Sequence, residues 1–88
     1  MTRPSVKIQL RYFAAIREAL GCEAETLETS AATLAALRDE LIARGDPYAA
    51  ALARGKAVRA ALDQVMRDES AALHEGAEVA FFPPVTGG

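Results

Sequence analysis

The sequence predicts an α+β fold in which one main helix, joined by short ones, covers one face of a small mixed sheet. Three observations carry that expectation. In Val6 to Phe13, the apolar residues Val6, Ile8, Leu10 and Tyr12 alternate with Lys7, Gln9 and Arg11, the period-two pattern of a half-buried strand. In the middle of the chain Leu34, Leu37, Leu41 and Ile42 form one apolar helical stripe, with Arg38, Asp39, Glu40 and Arg44 assigned to the wet side. Near the end Val79 to Phe82 is again strand-like. A sheet with one apolar face and a helix with one apolar stripe must each cover the other.

The elements follow in order. After the first strand, Phe13, Ile16 and Leu20 keep helical spacing over Ala14 to Leu20, and Gly21 is placed to end that helix. Glu23 to Thr29 reads as a weaker second strand, because Thr26 holds one of its middle positions. Thr33 is the expected N-cap of the main helix and Gly45 its stop. Asp46 is expected to cap a short helix, with Pro47 at its first position, Tyr48 and Leu52 on its buried face, and an end near Gly55. Val58 to Leu62 is a strand, Asp63-Gln64 a turn and Val65-Met66 a short return strand. Asp68 to Ser70 reads as polar loop, Leu73 as packing back on the core, and Glu75-Gly76 as a further turn. In the last strand Val79 and Phe81 share one face, while Ala80 and Phe82 share the other. This order suits a β-grasp arrangement, and leaves a ferredoxin-like variant open.

Composition narrows the function classes. The 88 residues allow one domain, with residues 1–82 forming the globule and 83–88 an extended tail. Its 51% hydrophobic and 25% charged residues belong to a globular chain, not a disordered one. So small a chain has little core to give up for an internal cleft. The net charge of −2, without any basic run, argues against nucleic acid and anionic membrane as partners. The single cysteine, Cys22, forbids an internal disulfide and fits a reducing cytoplasm. No apolar h-region precedes the first strand, so no secretory signal is expected, and no apolar run has membrane-spanning length. Neither a metal-ligand cluster nor a phosphate-binding glycine loop is evident, so no bound cofactor or metal is expected.

The last residues, Phe81-Phe82-Pro83-Pro84-Val85-Thr86-Gly87-Gly88, are the informative ones. Pro83 and Pro84 have no N–H for a sheet ladder, and they favour an extended exit away from it. Six residues from Pro83 onward reach roughly 20 Å when extended. Gly87 and Gly88 are narrow and unrestricted in φ, so they can thread a tight channel. A terminal carboxylate on Gly88 is ionised at neutral pH and resists nucleophilic attack. Adenylation by ATP would activate it, and a sulfur nucleophile would then yield a thiocarboxylate. By itself a Gly-Gly ending is a weak signal, more often found on an idle, frayed terminus than on a reactive one.

The opening Val6-Lys7-Ile8-Gln9-Leu10-Arg11-Tyr12-Phe13-Ala14-Ala15-Ile16-Arg17-Glu18-Ala19-Leu20-Gly21 resembles the start of molybdopterin synthase small subunits. The ending Gly76-Ala77-Glu78-Val79-Ala80-Phe81-Phe82-Pro83-Pro84-Val85-Thr86-Gly87-Gly88 resembles theirs still more closely. That resemblance runs over nearly the whole chain and implies a ubiquitin-like β-grasp fold. It implies that an E1-like adenylyltransferase activates Gly88 with ATP, and that a sulfur donor protein loads it as a thiocarboxylate. It implies docking on a large synthase subunit, which converts precursor Z (cyclic pyranopterin monophosphate) to molybdopterin during molybdenum cofactor biosynthesis. Two small subunits would flank a dimer of large ones, and the catalytic site would lie on the large subunit. The chain departs from the family at Asp63, usually asparagine, and at Ala77, often aspartate; both bear on local turn geometry.

Gly88 is therefore the reactive end, with Gly87, Thr86 and Val85 threading it. Phe82, Pro83 and Pro84 are the expected docking residues, Phe81 being assigned to the core by its parity with Val79. Cys22 has no paired base and is expected to be inert. His74 reads as a solvated loop residue, and Arg17 and Glu18 as a solvated helix face. Three other readings stay open: a protein modifier joined to lysine through the same terminus, a thiamine-pathway sulfur carrier, and a non-catalytic β-grasp module with an idle tail.

Overall fold

The structure, a computed structural model, describes residues 5–83. Five strands and three helices run in the order β1 (Val6–Tyr12), α1 (Ala14–Leu20), β2 (Ala24–Thr29), α2 (Leu34–Ile42), α3 (Tyr48–Ala51), β3 (Arg59–Leu62), β4 (Val65–Arg67) and β5 (Glu78–Phe82). They form one sheet in the order β2-β1-β5-β3-β4. The central pair, β1 and β5, is parallel, and every other pairing is antiparallel. This is the β-grasp arrangement. The ferredoxin-like order is excluded, since α1 joins two antiparallel neighbours instead of crossing between parallel strands.

The core follows from parity. Ile8, Leu10 and Tyr12 of β1, Val79 and Phe81 of β5, and Ala60 and Leu62 of β3 face the helices and are buried. Leu34, Leu37 and Leu41 of α2 meet them with no exposed surface, each contributing about 2 kcal/mol by burial. Thr33 caps α2 by accepting the Ala36 N–H at 3.2 Å. Gly21 ends α1 at φ 74°, where glycine carries no Cβ penalty.

Three expectations change. Arg38 does not lie on a wet face: it is 4% exposed. Its Nε donates to Leu52 O at 2.8 Å, its Nη2 to Ala53 O at 2.6 Å and Lys56 O at 3.1 Å, and its Nη1 to Glu69 at 2.6 Å. The guanidinium thus ties off the carbonyls of the chain leaving α3, which a fork of five donors can do and an apolar residue cannot. Asp46 does not cap α3, because Pro47 occupies the N-cap position without a side-chain cap, and the Ala49 N–H is taken by the Gly45 carbonyl at 3.0 Å. That helix also stops at Ala51, well before Gly55.

The weak look of β2 has a physical source. Its inward residues are Glu25, Leu27 and Thr29, and Thr26 faces out, paired with Gln9. Glu25 is tolerated because Tyr12 and Tyr48 donate to its carboxylate at 3.0 and 3.1 Å and Arg44 pairs with it at 3.1 Å. Burial pushes the Tyr12 phenol up, and the neighbouring Glu25 charge adds to that, so the hydroxyl remains a donor. The cluster fastens β2 and α3 to the core as a structural staple.

Candidate docking face and chain exit

β5 lies in the middle of the sheet, so its last residues leave the globule from the centre of one end. Phe81 is 1% exposed and packs against Tyr12 in the core, with ring centroids 6.4 Å apart. Phe82 points to the opposite face and is half-buried. It stacks on Phe13, the residue that ends β1's strand pattern, at 4.7 Å with an 8° interplanar angle. Pro83 is half-buried at the exit. Pro84, Val85, Thr86, Gly87 and Gly88 lie outside the described residues.

Register assembles the rest of this face. Met66 is paired with Ala61, Ala61 with Ala80, and Ala80 with Arg11, so these four form one cross-strand row on the outer side. The two alanines are short and sink between larger neighbours, being 5% and 9% exposed. The result is a shallow depression of about 340 Å³ bordered by Phe13, Phe82, Met66, Gln64 and the Arg11–Glu78 ion pair, whose N–O distance is 3.5 Å. Met66 is 50% exposed and its neighbour Val65 58%. An exposed apolar side chain on a short edge strand, beside an aromatic pair and a polar rim, has the anatomy of a docking face, whereas Val65, paired with Leu62, belongs to the other side of the sheet.

A second, larger depression of about 430 Å³ lies on the helical side, lined by Ala15, Ile16, Ala19, Ala51, Lys56, Val58 and Pro83. Among the described residues its only charged lining residue is Lys56, which has no acidic partner in the lining. Among the described residues no group of three His, Cys, Asp or Glu side chains is arranged to hold a metal. Cys22 is half-buried. His74 is exposed but not free: its Nε2 lies 2.6 Å from Asp63 Oδ2 and its Nδ1 3.0 Å from the Glu75 carbonyl.

The sequence singles out Phe82 and Pro83 but not Met66, Phe13 and Arg11. Only one signal pointed to them: once Phe82 is set on the outer face, strand parity puts Ala80 beside it. The register that brings β4 and β1 to either side is a tertiary property that no local pattern displays.

A five-stranded β-grasp sheet wrapped on one main helix, with its last strand feeding a double-proline exit, defines the class as ubiquitin-like β-grasp proteins. The family model described as the ThiS family matches residues 10–88, and the chain belongs to that family. The chain is 42% identical to the molybdopterin synthase sulfur carrier subunits of Haemophilus influenzae and of Escherichia coli. Each match spans 81 residues, 92% of this chain and 99% of the relative. Among solved structures, the complex of subunits 1 and 2 of molybdopterin-converting factor from Helicobacter pylori holds a chain of the same fold. That chain aligns at a TM-score of 0.65 and 24% identity, over 94% of this chain and 100% of that one.

Proposed function

We propose that this chain is the sulfur carrier subunit of a molybdopterin synthase, acting in the cytoplasm through the carboxylate of Gly88. The observation that carries the reading is the 42% identity, over nearly full length, to two curated sulfur carrier subunits of that synthase. The Phe82-Pro83 exit beside an exposed apolar face supports it.

The chemistry runs in balanced steps. An E1-like adenylyltransferase joins the Gly88 carboxylate oxygen to the α-phosphorus of ATP, and pyrophosphate leaves. A persulfide sulfur from a donor protein attacks the acyl carbon and AMP departs with the bonding pair; reductive cleavage of the S–S bond by a thiol leaves the thiocarboxylate. On the large subunit the thiocarboxylate sulfur bonds to a carbon of precursor Z as an oxygen substituent of that carbon leaves, and water then cleaves the acyl carbon–sulfur bond, leaving the sulfur on the pterin and returning the Gly88 carboxylate. The chain supplies no general base and binds no cofactor of its own; ATP belongs to the activating enzyme. Its contributions are a rigid docking face and a narrow reach, which place the acyl carbon in the partner's site.

Intact-mass measurement tests this. Incubated with the activating enzyme, ATP and a sulfur donor, the chain is expected to gain the mass difference between sulfur and oxygen. Appearance of lysine conjugates in its place, or an unchanged mass, would overturn the reading.

A further inference from the structure

The β3–β4 turn holds one residue unsuited to it, Gln64. Asp63 sits at φ 51° and Gln64 at φ 70°, consecutive left-handed positions that a two-residue hairpin normally fills with Asn-Gly or Asp-Gly. Gln64 has neither glycine's freedom nor a short side chain to bond locally, so the turn needs outside support. Asp63 supplies part of it: its N–H donates to the Glu78 carbonyl at 2.8 Å, and its Oδ1 accepts the Glu78 N–H at 3.0 Å. The remaining oxygen, Oδ2, faces His74 Nε2 at 2.6 Å.

His74 is held by the other ring nitrogen too, since Nδ1 lies 3.0 Å from the Glu75 carbonyl. Both partners are acceptors, and a neutral imidazole has only one N–H. Only the imidazolium satisfies both contacts. Its segment is anchored on β1, because the Gly76 N–H donates to Lys7 O at 2.8 Å and the Gln9 N–H to Ala77 O at 2.9 Å. The charged groups around the ring are Asp63 on the turn, Glu75 beside it, Glu78 at the start of β5, paired with Arg11, and Lys7 on β1, whose N–H binds Glu75. Of these, the Asp63 carboxylate in direct contact is the charge that favours the cation.

We propose that the His74 imidazolium and the Asp63 carboxylate form a clasp that sets the β3–β4 hairpin and aims Met66 for docking, so that partner binding weakens when His74 loses its proton. This rests on the docking role proposed above, and makes His74 and Asp63 positioning residues. The Asp63 hydrogen bond, seconded by the Glu75 carbonyl, raises the His74 pKa; the Glu78 N–H, then His74, lower that of Asp63. The clasp is therefore complete below the ordinary histidine range and is lost as pH rises through the raised value. At the acid end it is lost as pH falls through the lowered Asp63 value.

The test uses the full chain. In an NMR pH titration, His74 is expected to titrate above its ordinary value of about 6.5, with the Val65 and Met66 amides following the same midpoint. Asp63→Asn keeps a residue that tolerates the turn but removes the charge, and is expected to return His74 to the ordinary range. Binding to the cognate large subunit is expected to weaken several-fold across the wild-type midpoint and to be flat in His74→Ala. An unshifted His74, β4 amides that ignore its titration, or wild-type binding flat with pH would each overturn the clasp. Failure to bind the large subunit at any pH strikes the docking role and, with it, Met66's aim, while the free-chain titration still decides the clasp.

Discussion

At the scale of single residues, the molecule leans on one buried cation. Arg38 satisfies three backbone carbonyls and one carboxylate from a position with almost no exposed surface. Burial alone would push Glu69 up, but its hydrogen bonds from Arg38 and Arg54 outweigh that and leave its carboxyl below the usual range. Arg38→Ala strands all of these acceptors and is expected to cost about 3–5 kcal/mol, a large part of a small domain's margin. Arg38→Lys is expected to recover only part, because one ammonium cannot span four acceptors. Urea denaturation of the two variants measures this, and a loss below about 1 kcal/mol for the alanine variant would mean that water replaces the guanidinium. A helical stripe drawn from Leu34, Leu37 and Leu41 gives no hint of the role. Arg38 follows Leu37 on the stripe's border, and only the loop after α3, folded over it, turns a border residue into a buried one.

At the scale of elements, legibility tracked how completely a segment's stability is local. β1 was readable because its inward row is wholly apolar, and Thr33 because a cap is decided within one turn of helix. β2 was blurred because a carboxylate, Glu25, stands in its inward row and is stabilised by Tyr12, Tyr48 and Arg44 from three other places in the chain. The candidate docking face is the extreme case, assembled from β1, β3, β4 and β5 by register. Phe82 shows how such a face divides its energy. Phe82→Ala forfeits the stack on Phe13, worth about 1 kcal/mol, and leaves the core side of β5 intact. At the centre of a docking face the same truncation removes an aromatic anchor, with an expected loss of 2 kcal/mol or more, roughly thirtyfold in affinity. Calorimetric titration of the large subunit against melting of the free chain separates the two effects. Unchanged affinity would remove Phe82 from the interface.

At the scale of the whole molecule, the sheet holds the fold, and the proposed chemistry falls to the chain end. The core of the described residues closes with Phe81 on the last strand, seven positions before Gly88. Deleting Gly88 is accordingly expected to shift stability by no more than about 0.5 kcal/mol. The truncated chain still ends in a carboxylate, now on Gly87, but its acyl carbon falls about 3.5 Å short. Misplacement of a reacting atom by even about 1 Å costs on the order of a hundredfold in rate, so sulfur loading is expected to be abolished. A chain lengthened by one glycine after Gly88 is expected to fail for the same reason, since the docking face fixes where the tail begins and the partner's site fixes where it must end. Intact mass reports loading, and thermal melting reports the fold. A shortened or lengthened chain that loads at the natural rate would show that reach is not what places the carbon, and would unseat the division of labour between face and tail.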